Sequence, residues 1–196
     1  MPEDTQLSDS DGVFLVKTAR MAVTEFLSNG KRMKLESERE KKFSFNAGVF
    51  VTLNNADGLR GCIGFPMPDK KLSHGIIDAA IAAATEDPRF SPVKINELNE
   101  IVFEVTVLTP PVEITVTDPM EYLEKIKVGR DGLIIRNSFS SGLLLPQVPV
   151  EYGWNVEEFL QHTCEKAGLE KDTWKNEKVK IEKFEGIVYK EETNGS

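Results

Sequence analysis

The sequence predicts an α+β protein built as two lobes, and three observations carry that expectation. Strand patterns come in runs broken by helices, without the repeated strand-helix-strand unit that winds a doubly wound parallel sheet. Two proline-marked changes of direction, Thr109-Pro110-Pro111 and Pro146-Gln147-Val148-Pro149, set off a segment in the middle of the chain. With 196 residues and 40% hydrophobic content, the chain can build one core, or one core with a small lobe attached. The expected arrangement is a larger sheet-and-helix lobe made from both chain ends (1–109 and 150–196). A smaller α/β lobe (110–149) is inserted into it, too small to be stable unless it packs on the main body.

After a frayed acidic start, Leu15, Ala19, Ala22, Val23 and Phe26 recur at helical spacing and Asn29-Gly30 supplies the stop. Residues 31–42 are dominated by charge and read as a mobile surface connection. Val49 to Leu53 is β-branched and aromatic, and Asn54-Asn55-Ala56-Asp57-Gly58 has hairpin-loop chemistry leading into a second strand. Ser73 is placed to cap a helix whose stripe is Ile76, Ile77, Ala80, Ile81 and Ala84, ended by Pro88; its alanines allow close approach to a sheet. Ile101, Phe103, Val105 and Val107 alternate in a further strand. Beyond the boundary, the pattern predicts a strand at 112–116, a helix from Asp118-Pro119 to Ile126, and strands at 132–136 and 143–145. Two prolines in 146–149 predict an extended, edge-like return. Asn155-Val156-Glu157-Glu158 has capping-box spacing for a helix closed by Gly168, with Cys164 on its core stripe and His162 toward its polar side. Val179 to Tyr189 predicts a closing strand, after which the chain frays.

The hairpin's second arm, Leu59-Arg60-Gly61-Cys62-Ile63-Gly64-Phe65, holds residues that a strand has no packing reason to choose. A period of two puts Leu59, Gly61, Ile63 and Phe65 on one face and Arg60, Cys62 and Gly64 on the other. Glycine inside a strand marks a bulge or a place where another backbone or a ligand comes close. An arginine two residues before a cysteine on the same face would favour a nucleophilic thiolate. The other reading makes Cys62 a small buried hydrophobe. Glu104 interrupts an apolar strand and must reach water or a partner, either an arginine or, as a general base, the thiol. The loop Glu86-Asp87-Pro88-Arg89-Phe90 is rigidified by proline and can hold an ion-pair network or line a pocket. Gln147 and Glu151 flank the extended return.

Composition narrows the function classes. The net charge of −8 disfavours general phosphate-backbone binding, and the basic stretches at 31–34 and 40–42 are interrupted by acids, so no nucleic-acid partner is expected. No apolar run approaches the roughly 20 residues of a membrane span, and the polar N-terminus lacks the basic and apolar parts of a signal peptide, so the expected location is cytoplasmic. Two separated cysteines and two histidines make a structural zinc site unexpected, and nothing in the sequence asks for a cofactor.

The stretch LRGCIG resembles the signature of the AMMECR family, named after a human chromosomal region linked to Alport syndrome, midface hypoplasia and elliptocytosis. The chain is similar to its archaeal and bacterial members. The resemblance continues through Asp87-Pro88-Arg89-Phe90-Ser91-Pro92, Val107-Leu108-Thr109-Pro110-Pro111, Gly129-Arg130-Asp131-Gly132-Leu133, Leu144-Leu145-Pro146-Gln147-Val148 and Lys166-Ala167-Gly168-Leu169. It covers nearly the whole chain. It implies the two-lobed fold with a cleft between the lobes, where Arg60 to Gly64, Asp87 to Phe90 and Pro146 to Val148 would meet. Three functional readings are open. In the first, Cys62 is a nucleophile or redox thiol, Arg60 stabilises the thiolate or an oxyanion, and Glu104, Glu86, Asp87 or Glu151 handles protons. In the second, Arg60 and Arg89 grip a small anionic or carbonyl-bearing ligand, with Gly61 and Gly64 permitting close approach and Gln147 and Glu151 contributing. The third is a regulatory or protein-interaction module. Here the resemblance implies a pathway shared with Memo-type and radical S-adenosylmethionine proteins.

Overall fold

The computed structural model describes residues 7–176 and 179–192 and is an α+β fold. The chain divides into two compact units, residues 1–108 with 187–196, and residues 109–186.

Unit 1 begins with α1 (Asp9–Asn29), whose N-cap is Ser8 in a capping box with Asp11, and whose stop is Gly30 at φ 71°. The expected stripe faces inward: Leu15, Ala19, Ala22 and Val23 are fully buried. A short exposed helix, α2 (Ser37–Lys42), occupies part of the connection read as mobile. The hairpin is β1 (Val49–Asn55) and β2 (Gly58–Phe65), and α3 (Leu72–Thr85) follows. Ser73 is not its cap. Lys71 holds that position, while Ser73 lies in the first turn, fully buried, because its N–H and that of Leu72 donate to Phe43 O and Phe45 O at 2.9 Å each. A 3-10 segment, Ile95–Glu100, leads into β3 (Val102–Leu108). The strand order is β2-β1-β3-β7, where the part of β7 (Lys180–Lys190) from Ile187 onward belongs to this unit. Helices α1 and α3 pack on one face of the sheet, against Val49, Val51, Leu53, Phe103, Val105 and Val107. The described chain is anchored here at Glu191, while the expected fraying of 193–196 lies outside the described residues. Glu191, expected to fray, accepts from Arg20 Nε at 2.5 Å and from Phe103 N at 3.1 Å.

Unit 2 contains β4 (Val112–Glu113), a 3-10 turn at Pro119–Glu121 running into α4 (Tyr122–Lys125), β5 (Asp131–Arg136), β6 (Ser141–Leu144), α5 (Gln147–Tyr152) and α6 (Val156–Lys166). Its strands run β7-β5-β6, and β4 pairs with β7. Two expectations are corrected here. Residues 146–149 do not run extended: Pro146 caps α5 and Pro149 falls in its first turn, where a missing N–H costs nothing because no intrahelical acceptor exists for it. The second unit also reaches beyond residue 149. Phe159, Leu160 and Cys164 of α6, together with Trp174 and Ile181, share one core with Leu133 and Ile135. The apolar stripe of α6 thus completes the core that β5 and β6 cannot bury alone.

Candidate functional site

The site around Cys62 lies wholly in unit 1. Along β2 the register slips at Leu53/Asn54, where Leu53 pairs with Gly61 but Asn54 pairs with Leu59, so Arg60 is the extra residue of a bulge. The bulge overturns part of the period-two reading: Leu59 leaves the core face and is 41% exposed. Gly61, Ile63 and Phe65 remain on the helix-packed side. A Cβ at Gly61 would lie 2.2 Å from Ala83 O of α3, and one at Gly64 would lie 2.3 Å from the Phe50 ring. Both glycines are therefore filled by the protein's own packing.

On the other face, Thr52 pairs with Cys62 on one side and with Glu104 on the other, so the three form a row across β2, β1 and β3. Cys62 turns its N–H and C=O away from β1, which makes Thr52 and Cys62 a non-hydrogen-bonded pair with closely approaching side chains. The Thr52 hydroxyl accordingly donates to Cys62 Sγ at 3.3 Å. Glu104 sits two strands from the sulfur, about 10 Å by strand spacing, and makes no hydrogen bond or ion pair with the described residues. It partners neither an arginine nor the thiol.

Because β2 is the edge strand, its outward backbone groups need partners. Asp87 supplies one: its Oδ2 accepts from Cys62 N at 2.8 Å. Arg89 grips the same carboxylate through Nε to Oδ1 (3.0 Å) and a terminal nitrogen to Oδ2 (2.7 Å), and it also reaches Cys62 O at 3.4 Å. The Asp87 side chain is 2% exposed. The Arg89 fork, together with the Cys62 and Arg89 N–H groups, holds the Asp87 carboxyl far below the usual carboxylate range, against the opposing effect of burial. Arg60 is engaged in the same way. Its Nε and a terminal nitrogen hold Glu97 at 2.9 and 3.3 Å, and its other terminal nitrogen donates to Ser91 O at 2.9 Å. The Arg60 hydrogen bonds and Lys94 N lower the Glu97 carboxyl. Among the described residues the Arg60 hydrogen bonds go to Glu97 and Ser91 O, and the hydrogen bond to the Cys62 sulfur comes from Thr52. A shallow groove of about 490 Å³ lies beside Arg60, lined by Phe90, Ser91, Lys94, Asn96 and Glu97.

Of the residues singled out in the sequence, the fold brings Arg60, Gly61, Cys62, Gly64, Asp87 and Arg89 together on β2 and its clamp. Glu86 is exposed at the end of α3. Gln147 and Glu151 are exposed on α5 of unit 2. Sequence reasoning missed Thr52 and Glu97. Thr52 was findable as the polar member of the alternating β1 pattern; Glu97, within an irregular 3-10 segment, carried no periodic signal. Cys164 is fully buried, as its helical stripe predicts, and burial pushes its thiol up to about 11. Among the described residues no helix is long and apolar enough to cross a membrane, and no three His, Cys, Asp or Glu side chains cluster to hold a metal.

The fold and site define an α+β protein with a bulged Arg-Gly-Cys edge strand clamped by an Asp-Pro-Arg loop. The AMMECR1 family profile matches residues 16–189, and the chain belongs to that family. It is 52% identical to protein MJ0810 of Methanocaldococcus jannaschii over 187 residues, covering 94% of this chain and 92% of that protein. It is 48% identical to protein PYRAB00100 of Pyrococcus abyssi over 192 residues, covering 95% and 93%. Among solved structures it matches the uncharacterized protein PH0010 of Pyrococcus horikoshii with a TM-score of 0.78 at 49% identity, covering 95% of this chain and 94% of that one.

Proposed function

We propose that this chain is a non-catalytic regulatory or protein-interaction module whose working surface is the β1–β2–β3 face bearing Phe50, Thr52, Cys62, Glu104 and Thr106. One observation carries the reading: both arginines of the motif are held by carboxylates in forked geometry, Arg60 by Glu97 and Arg89 by Asp87. Their charge goes into fixing the edge strand and the 3-10 segment. A charge network of this kind rigidifies a surface, and perturbed carboxyls within it are not by themselves a sign of catalysis. The glycines support the same reading, since protein atoms occupy the space that a ligand would need. Partners implied by the family resemblance, a Memo-type protein and a radical S-adenosylmethionine protein, are the first to test.

The experiment is sedimentation of the intact chain with each of these proteins from the same genome, repeated with Thr52→Arg and with Cys62→Ser. A complex lost in Thr52→Arg and kept in Cys62→Ser is the expected result. Turnover of any substrate that disappears in Cys62→Ser would overturn the module reading.

A second reading rests on a separate observation. The Thr52 hydroxyl donates to the sulfur of a cysteine that is only half-buried, a setting in which Cys62 could act on a small anionic or carbonyl-bearing ligand. Thermal shift against such compounds, with Cys62→Ser and Arg60→Ala in parallel, distinguishes the two. A ligand that stabilises wild type but not Arg60→Ala favours the second reading.

A further inference from the structure

Unit 1 holds a cavity of about 500 Å³ that the Cys62 strand does not line. It is formed by the basic stretch at 31–34 with Leu35, by Glu40 of α2 and by the start of α3. After the Gly30 stop, residues 31–36 form no helix or strand, and burial alternates along them. Met33 is buried and Leu35 half-buried against the core, whereas Arg32 and Lys34 are exposed. One short segment thus gives the cavity an apolar lining, which Ile77 of α3 extends, and two cations. The start of α3 adds to the same sign. Its first turn holds no acid and no side chain caps it, so the positive end of the helix dipole is uncompensated.

Ser73, which lines the same cavity, carries a separate signal. Because Lys71 holds the N-cap position, the Ser73 hydroxyl has no capping bond to make, and it is fully buried without a hydrogen-bond partner among the described residues. Buried hydroxyls are nearly always paired, since one left unmade forfeits its solvation. The N–H groups of Leu72, Ser73, His74 and Gly75 all donate to backbone carbonyls, so a ligand here meets side chains and the helix field. The nearby acids are engaged: Glu40 meets His74 Nε2 at 3.2 Å, and Asp78 is shared by Arg32 and Lys70. Arg32 gives a terminal nitrogen to Asp78, but a guanidinium carries five N–H donors. Lys34 makes no hydrogen bond or ion pair with the described residues. Positive charge and donor capacity are left over, in a chain whose net charge is −8.

We propose that this cavity binds a small organic phosphate monoester. The phosphoryl oxygens accept from Arg32, Lys34 and the Ser73 hydroxyl, and the apolar body lies against Met33, Leu35 and Ile77. Three donors from separate parts of the chain suit a group with three acceptor oxygens. A carboxylate has too few oxygens for them, and inorganic phosphate leaves the apolar lining unused.

The test is titration of the intact, 15N-labelled chain with phenyl phosphate at constant ionic strength, with inorganic phosphate and benzoate as counterparts. The amide resonances of Ser73, His74 and Ile77 should shift saturably with phenyl phosphate, and each counterpart should bind at least about fivefold more weakly. Lys34→Gln should weaken binding about threefold to fivefold and Ser73→Ala about tenfold. Lys17→Gln, the same change of charge at an exposed position of α1, should stay within about twofold. Ser73→Ala also has a readout that needs no ligand: its hydroxyl has no partner to lose, so the melting temperature of the free chain should stay level or rise. A free chain destabilised by Ser73→Ala would mean that the hydroxyl serves the fold, and the assignment fails. It fails equally if no saturable shift occurs at α3, or if benzoate or inorganic phosphate binds as tightly as phenyl phosphate.

Discussion

Each unit buries one aspartate against a nearby arginine, and the two carboxylates do different work. Asp87 in unit 1 is gripped by Arg89 and accepts from Cys62 N, so it joins its loop to a strand 25 residues away in sequence. Asp131 in unit 2, fully buried, is gripped by Arg130 at 2.6 and 2.8 Å and accepts from Lys127 N at 2.9 Å, four residues away. One carboxylate ties a loop to a distant strand through a backbone N–H; the other hydrogen-bonds within its own turn, with the Lys183 ammonium of β7 3.8 Å away as its only long-range partner among the described residues. The same chemistry thus acts over a long range or a short one, depending on whose N–H lacks a partner. At Asp87 the N–H belongs to an edge strand, which would otherwise present it to solvent or to another chain.

The largest effect should separate these two roles. Asp87→Ala removes several charge-assisted hydrogen bonds and leaves the Cys62 N–H without its acceptor. Arg89, 54% exposed at its side chain, can return to water, so the cost comes from lost bonds and not from a stranded charge. Urea unfolding should show a loss of about 3 kcal/mol for Asp87→Ala and about 1–2 kcal/mol for Asp131→Ala. Hydrogen exchange at the Cys62 amide should accelerate only in the first variant. A larger loss at Asp131 would break the comparison.

Close approach of helix to strand offers a second contrast. A Cβ at Gly61 would lie 2.2 Å from Ala83 O, and one at Gly142 would lie 2.3 Å from Ala167 N, both backbone atoms. Gly61→Ala and Gly142→Ala should each cost about 1–3 kcal/mol in the same assay. Gly61→Ala should also slow association with any partner that uses the opposite face of β2, because α3 must move to admit the methyl group.

The two cysteines sharpen the difference further. Cys62 is half-buried on an open sheet face, whereas Cys164 is fully buried with its thiol pushed up to about 11. Alkylation under native conditions, followed by peptide mapping, should label Cys62 at least about tenfold faster. Equal rates would mean that unit 2 opens as readily as the surface of unit 1 is reached.

Acid sensitivity is the smallest effect expected. Both Asp87 and Asp131 sit below the unfolded carboxyl value of 3.8, Asp87 chiefly through Arg89 and Asp131 through Arg130 and Lys127 N in spite of its burial. The unfolded chain therefore takes up protons first as pH falls, so the contribution of each carboxylate is intact above about pH 5 and declines below it, until the folded group itself protonates. Urea midpoints measured between pH 7 and pH 3 should fall less steeply for Asp87→Asn and Asp131→Asn than for wild type. An unchanged slope in both variants would show that other carboxylates set the acid limit.

Periodicity and punctuation in the sequence determined the local elements. The stripe of α1, its Gly30 stop, the β1–β2 hairpin, the capping box of α6 and the burial of Cys164 follow from residue spacing, because neighbours within a helix or strand decide them. The proline pair in 146–149 is ambiguous in the sequence, since a proline in a helix's first turn and one at a strand edge look alike until the next turn's packing is known. What only the tertiary structure decided are the pairings over distance. The bulge that turns Leu59 outward depends on the register with β1, and Glu97 rather than Glu104 takes Arg60 because of where the 3-10 segment folds back. Residues 150–186 belong with unit 2 because the stripe of α6 is apolar enough for either core, and which strands it covers is set by chain topology and not by the stripe. The clamp on Cys62 is of the same kind: Asp87-Pro88-Arg89 is legible as a rigid charged loop, but its acceptor role exists only once β2 becomes an edge with an unpaired N–H.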